Sequence, residues 1–199
     1  LLPSLVRTVG ETYGELELDI RETITPRLIE ELMDGALDAA IVALPVSEHS
    51  LTEVALFREA FVLVRPLSEA DRPVPAPELL RESRLLLLEE GHCFRDQALA
   101  FCDVRAAGAQ HGFDGSSLST LVQMVGAGMG VTLIPEMAQA VETRSAPVAV
   151  GRFAEPQPSR VVGMVWRKTS PLADELVELS ATISQAAGEL GTSDADPTR

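Results

Sequence analysis

The 199-residue chain has no apolar run long enough to cross a bilayer. Its longest uninterrupted stretches, residues 85–88 and 39–45, fall far short of the roughly 20 residues a spanning helix needs. No membrane segment is expected. Positive charge is also scarce: 16 Lys and Arg stand against 30 Asp and Glu, a formal net charge of −14. Affinity for a phosphate backbone comes largely from Lys and Arg displacing condensed counterions, so direct nucleic-acid binding by this chain is not expected. Two cysteines are too few for a secreted disulfide scaffold. A cytosol keeps such thiols reduced by default, so any pairing is expected to be transient. No metal-ligand cluster, internal repeat or phosphate-cradling glycine loop is present, and no cofactor is expected. Gly126, Gly128 and Gly130 follow a helical pattern, whereas dinucleotide binding needs glycines after a strand and opening a helix. No charged segment followed by an apolar stretch and a cleavage site indicates secretion. Leu1 stands first, and Leu1, Leu2, Leu5, Val6 and Val9 already read as the middle of an apolar helical face, so a fragment of a longer chain is expected.

What is present alternates strand and helix, the pattern of an α/β fold with a mainly parallel sheet. At 46% hydrophobic, the chain can bury a core in one large domain or in two lobes. After the first helix, Leu16, Leu18 and Ile20 alternate with Glu15, Glu17 and Asp19, which predicts a half-buried strand. Thr25 followed by Pro26 reads as a hydroxyl cap with proline at the first helical position, opening a helix to about Gly35. Residues 39–44 read as a buried strand, 52–57 and 61–64 as two more. The proline-rich stretch 66–77 reads as a lobe boundary. Residues 85–88 form a buried strand that leads into a helix carrying both cysteines. Ser116 and Ser117 cap a helix through Leu121 and Val125. Residues 131–134, 148–150 and 161–166 are strand-like. Residues 172–183 form a closing amphipathic helix, and 188–199 read as a frayed tail.

The segment SLSTLVQMVGAGMGVTLIP, residues 117–135, resembles the effector-binding domains of LysR-type transcription regulators. The resemblance extends over the chain in strand and helix order. It implies two Rossmann-like lobes like those of periplasmic binding proteins: residues 1–57 in lobe I, 58–160 in lobe II, 161–188 back in lobe I, and 189–199 as a flexible tail. It also implies that the first strand of lobe I is absent from the chain, leaving one sheet a strand short, and that a helix-turn-helix DNA-binding domain lies outside it.

Residues 89–102 read EEGHCFRDQALAFC. A sensor thiol must be partly thiolate, and helix N-termini and nearby cations favour thiolate. Cys93 follows His92 at a predicted helix start with Arg95 two residues on, whereas Cys102 lies between Phe101 and Asp103. Of the two, Cys93 is therefore the expected thiolate and the first to react with an oxidant. If the segment between them is helical when reduced, bond formation must refold it. This segment resembles the peroxide-sensing segment of the OxyR group of LysR-type regulators. The resemblance implies that Cys93 is the peroxide-reactive residue and Cys102 the resolving one, with His92, Thr25, Arg160, Arg95 and Asp96 binding peroxide or stabilising the thiolate. Each has a plainer reading: His92 as a loop histidine bonded to backbone, Thr25 as a cap, Arg160 as a charged strand end, Arg95 and Asp96 as a solvated helix pair, and the cysteines as small buried hydrophobes.

The partners implied are hydrogen peroxide, a second copy in a homodimer or homotetramer, promoter DNA through the absent domain, and RNA polymerase, all in the cytoplasm. Leu28, Leu32, Leu121 and Val125 are the candidate dimer faces. Three rivals use the same features: a LysR-type domain that binds a small metabolite with incidental cysteines, a thiol peroxidase, and a solute-binding protein. The leading reading is a regulatory domain and not an enzyme.

Overall fold

The computed structural model describes residues 2–90, 93–102 and 114–193. Two compact units result, one made of Leu1–Arg58 with Val161–Arg199 and the other of Glu59–Arg160. The chain passes the boundary inside two strands, so the stretch 66–77 lies within the second unit.

The first unit contains α1 (Leu2–Thr12), α2 (Thr25–Met33) and β1 (Ala40–Leu44). It also holds the start of β2 (Leu51–Pro66), the end of β7 (Ser159–Arg167), and α6 (Ala173–Ser193). Leu5 and Val9, four apart on one face of α1, are buried with Trp166, Leu176 and Ile183. Tyr13 Oη lies 3.0 Å from Thr182 Oγ1 and ties the end of α1 to α6. α2 stops because Gly35 takes a left-handed conformation, φ +79°. The N–H of Ala36 then reaches back to Glu31 O at 2.9 Å and that of Gly35 to Leu32 O at 3.3 Å, satisfying the last carbonyls of the helix.

The second unit is built on the rest of β2. One edge pairs with β5 (Thr132–Pro135) from Phe61↔Pro135 to Val64↔Thr132, and the other with β6 (Val148–Arg152) from Val62↔Arg152 to Pro66↔Val148. Beside it β3 (Leu87–Leu88) runs parallel to β4 (Asp114–Gly115). The helices are α3 (Cys93–Phe101), α4 (Leu118–Gly126) and the short α5 (Gln139–Glu142). Ser117 caps α4, its Oγ accepting the Thr120 N–H at 3.2 Å. Phe61, Leu86, Leu121, Leu133 and Ile134 form the centre of one core, which also takes in Phe94 and Leu99 from α3 and Cys102 just after it. Each such large side chain contributes about 1.5–3 kcal/mol by leaving water.

Several expectations are corrected. Among the described residues the ladders β1–β7, β2–β5 and β2–β6 are antiparallel, while β3–β4 and the bridge Leu85↔Val131 are parallel, because β7, β5 and β6 each return against the strand they join. The two strands expected in 52–64 are one, β2, which carries the charged pair Arg58 and Glu59 inside it. Residues 16–20 are extended but form no strand: Leu16, Leu18 and Ile20 are 47%, 42% and 46% exposed. Among the described residues no ladder partner faces them, and β1 is the end strand of its sheet. Alternation without a ladder leaves only exposed chain. Thr25 is the first helical residue of α2 rather than its cap; Ile24 holds the cap position with no side-chain bond. α6 continues to Ser193, with Ala186 and Ala187 buried, so the expected tail from 188 begins inside a helix. Leu32, Leu121 and Val125 are fully buried within their own units and Leu28 packs on the same cluster as Leu32, so core packing takes the faces proposed for a dimer.

Candidate functional site

α3 begins where a parallel strand ends. Leu87 and Leu88 pair with Asp114 and Gly115, and the N–H of Glu89 donates to Gly115 O at 3.0 Å. The carboxyl end of a parallel strand leading into a helix N-terminus is where α/β folds place ligands, because the first N–H groups of the helix lack partners within it. Cys93 is the first residue of α3. His92 and Asp103 lie outside the described residues.

The helix runs to Phe101, and its hydrogen bonding continues one residue further: the N–H of Cys102 donates to Ala98 O at 3.1 Å. Nine helical steps from Cys93 to Cys102 mean a rise of about 13 Å and opposite helix faces, whereas a disulfide needs Cα atoms within about 7 Å. In this conformation the backbone keeps the two residues apart.

Phe94, Ala98 and Phe101 fall on one helix face and turn it to the core. Phe61 receives both rings. Its centroid lies 5.1 Å from that of Phe94, edge-on at 79°, and 5.0 Å from that of Phe101, tilted at 57°. The neighbours of both cysteines therefore rest on one side chain of β2. Cys102 itself is 0% exposed in this cluster.

Arg160 stands at the same place. Its guanidinium carbon lies 5.8 Å from the Phe61 ring centre and 5.7 Å from that of Phe94, and its Nε donates to Glu59 Oε2 at 2.6 Å. The side chain of Glu59 is 2% exposed and that of Arg160 18%. Burial pushes the Glu59 carboxyl above its ordinary value, a shift that the charge and hydrogen bond of Arg160 partly offset. Glu59 Oε1 is buried with no hydrogen-bond partner among the described residues.

Arg95 Nη1 donates to Leu88 O at 2.8 Å, tying the first turn of α3 to the end of β3, and Asp96 is exposed. The structure thus gathers Cys93, Arg95, Asp96, Cys102 and Arg160 in or beside α3. Thr25 belongs to the other unit, where it is half-buried and its hydroxyl makes no hydrogen bond among the described residues. Sequence reading missed Glu59, Phe61 and Gln97. Gln97 lies one turn along from Cys93, and its Oε1 is buried without a partner; the spacing of four was the available signal. Glu59 offered one as well, a carboxylate inside an apolar strand, while nothing local marks Phe61. No helix among the described residues is long and apolar enough to cross a membrane, and no group of His, Cys, Asp and Glu among them could hold a metal ion.

Comparison with known proteins follows the same lines. A family described as LysR substrate binding domain matches residues 1–186. A probable hydrogen peroxide-inducible genes activator of Streptomyces viridosporus is 41% identical over 194 residues, covering 96% of this chain and 62% of that protein. The DNA-binding transcriptional dual regulator OxyR of Escherichia coli K12 is 36% identical over 187 residues, covering 92% of this chain and 61% of that one. The chain thus spans about three fifths of the length of these relatives. A solved structure of a cysteine-to-serine mutant of Corynebacterium glutamicum OxyR with hydrogen peroxide bound superposes with a TM-score of 0.89 at 32% identity, covering 100% of this chain and 65% of that one. The reduced form of the OxyR regulatory domain from Pseudomonas aeruginosa gives 0.80 at 33% identity, covering 94% of this chain and 89% of that one.

Proposed function

Because the chain belongs to the LysR substrate-binding domain family, we propose that it is the regulatory domain of a hydrogen-peroxide-responsive transcription regulator, with Cys93 as the reacting thiol and Cys102 as the resolving one. The named activities of its relatives and the peroxide held by the Corynebacterium relative support the ligand. The observation that carries the reading is the unbroken helix from Cys93 to Cys102, with Cys102 buried in the core. A thiol pair kept apart by a helix is a switch: bonding the two requires a discrete refolding that partner domains can sense.

The chemistry balances without a cofactor. The Cys93 thiolate attacks one peroxide oxygen, an S–O bond forms as the O–O bond breaks, and the departing hydroxide takes a proton to become water. The Cys102 thiol then attacks the sulfenic sulfur, forming the disulfide and releasing a second water. The start of α3 and the guanidinium of Arg160 favour thiolate at Cys93, His92 assists, and Arg95 and Asp96 shape the turn that carries it. Gln97 Oε1, without a hydrogen-bond partner among the described residues, is an acceptor for a peroxide O–H. Each oxidation is one switching event, so the domain is a sensor and not a turnover enzyme. In the whole protein it works in the cytoplasm as a homodimer or homotetramer, reaching promoter DNA through a separate domain and acting on RNA polymerase.

A brief peroxide pulse followed by mass spectrometry tests the assignment. Cys93→Ser stays inert to low peroxide, while Cys102→Ser forms a sulfenic acid at Cys93 that persists or over-oxidises for lack of a resolving thiol. Oxidation of Cys102 in the Cys93→Ser chain at the wild-type rate would reverse the roles. Indifference of both thiols would leave the domain as a metabolite-binding relative.

A further inference from the structure

Glu59 is a buried acid that the thiol reaction just described does not use. Its Oε2 accepts from Arg160 Nε, and its Oε1 has no hydrogen-bond partner among the described residues. A purely structural Arg–carboxylate pair gains most from a bidentate fork, and a buried carboxylate oxygen left alone is costly. Here the contact is single and from the side, through Nε alone. Because it uses Nε, the terminal nitrogens of Arg160 remain over, and among the described residues no acceptor takes them. They stand beside Phe94, the residue next to Cys93, with the guanidinium seated over the Phe61 and Phe94 rings.

We propose that Glu59 is a positioning residue for the thiol reaction: by gripping Arg160 at Nε, it fixes the guanidinium at the first turn of α3 with its terminal N–H groups free for the oxygens of peroxide and of the sulfenate. This rests on the role given to Cys93 above. The arrangement explains why an unsatisfied carboxylate is kept in a strand where an apolar residue would pack at lower cost. It also explains the cation–ring stacking, since a long arginine side chain gripped at one nitrogen still needs a second contact to set its plane. The other charged side chains of the turn serve differently, Arg95 being bonded to Leu88 O and Asp96 exposed.

The test uses the whole chain carrying Cys102→Ser, so that Cys93 is its one thiol. Two quantities are measured: the second-order rate constant with hydrogen peroxide, and the pH midpoint of alkylation by iodoacetamide. Glu59→Leu and Arg160→Met each lower the peroxide rate about tenfold, as a rise of about one unit in the thiol midpoint would at neutral pH, and each raises that midpoint. The double variant loses no more than either single one, because Glu59 acts through Arg160. Glu59→Gln, which keeps an acceptor for Nε, stays within about twofold of the parent, whereas the shorter Glu59→Asp loses several-fold. That last variant decides the matter if Glu59→Leu does not fold. Parent-like rate and midpoint in folded Glu59→Leu or Glu59→Asp, or losses that multiply in the double variant, overturn the proposal. A parent chain inert to peroxide would remove the sensor reading instead, and the alkylation midpoints would still decide on Glu59: raised in Glu59→Leu, they uphold it; unchanged, they overturn it.

Discussion

The backbone N–H of Cys102 donates to the carbonyl of Ala98 at 3.1 Å, so the hydrogen bonding of the helix the first cysteine begins reaches the second. A helix of nine residues does not hold itself in water. Packing of Phe94, Ala98, Leu99 and Phe101 against the core maintains it, and that packing opposes closure of the disulfide.

Weakening the helix without touching its packed face should therefore quicken closure. Ala100 is exposed in α3. Ala100→Gly costs the helix about 1 kcal/mol, or about fivefold in its opening equilibrium. Disulfide formation after the sulfenic step is expected to speed up about fivefold, with sulfenic acid formation itself unchanged. Quenched-flow mass spectrometry reads both steps, and an unaltered closure rate would mean that helix opening does not limit it.

Two glycines make opposite predictions for stability. A Cβ at Gly10, in α1, meets nothing within 4 Å, so Gly10→Ala gains about 1 kcal/mol from helix propensity alone. A Cβ at Gly130 would lie 2.2 Å from the carbonyl oxygen of Arg84, which is backbone and cannot turn aside. Gly130→Ala is expected to lose about 3 kcal/mol, the upper range for overpacking. Urea unfolding of the two variants checks both signs. Tolerance at Gly130 would contradict the close passage of the chain there.

What could be read from the sequence was local. Nine residues of separation and a strand before them were enough to place Cys93 at the head of α3, and the glycines after α4 end it as expected, Gly128 at φ +79°. The grip of Glu59 on Arg160 joins residues 101 apart, and no short window contains both. The same limit misled the reading of 16–20, where alternation marks a chain fit for a ladder but carries no information on whether a partner strand stands beside it. Two strand-like runs in 52–64 are one strand for the same reason: the charge of Glu59 between them is met by a partner that arrives from β7.

Glu59 also predicts a pH dependence of stability. Its carboxyl is raised in the folded chain, chiefly by burial, so the folded state favours the protonated form more than the unfolded state does. The sign follows from linkage: wild-type stability is eroded as pH rises from the ordinary carboxylate range through the raised folded value. Glu59→Gln lacks this titration. Its stability relative to wild type should therefore improve between pH 4 and pH 7 in urea unfolding. A difference that is flat, or that falls, would mean Arg160 outweighs burial.

Phe61 bears on how the signal ends. On the proposed mechanism, closing the disulfide would take Phe94 or Phe101 off that ring, and the aromatic surface then exposed would be worth on the order of 3 kcal/mol. For a two-electron couple that is roughly 60 mV toward easier reduction. The seat is permanent, part of β2, so once a reductant cuts the bond the rings have a template to return to and need no helper to find it. On the role proposed for Cys93 and Cys102, the switch is spring-loaded toward its reduced state: peroxide must keep arriving to hold the bond closed, and the supply of reductant sets how long it stays so.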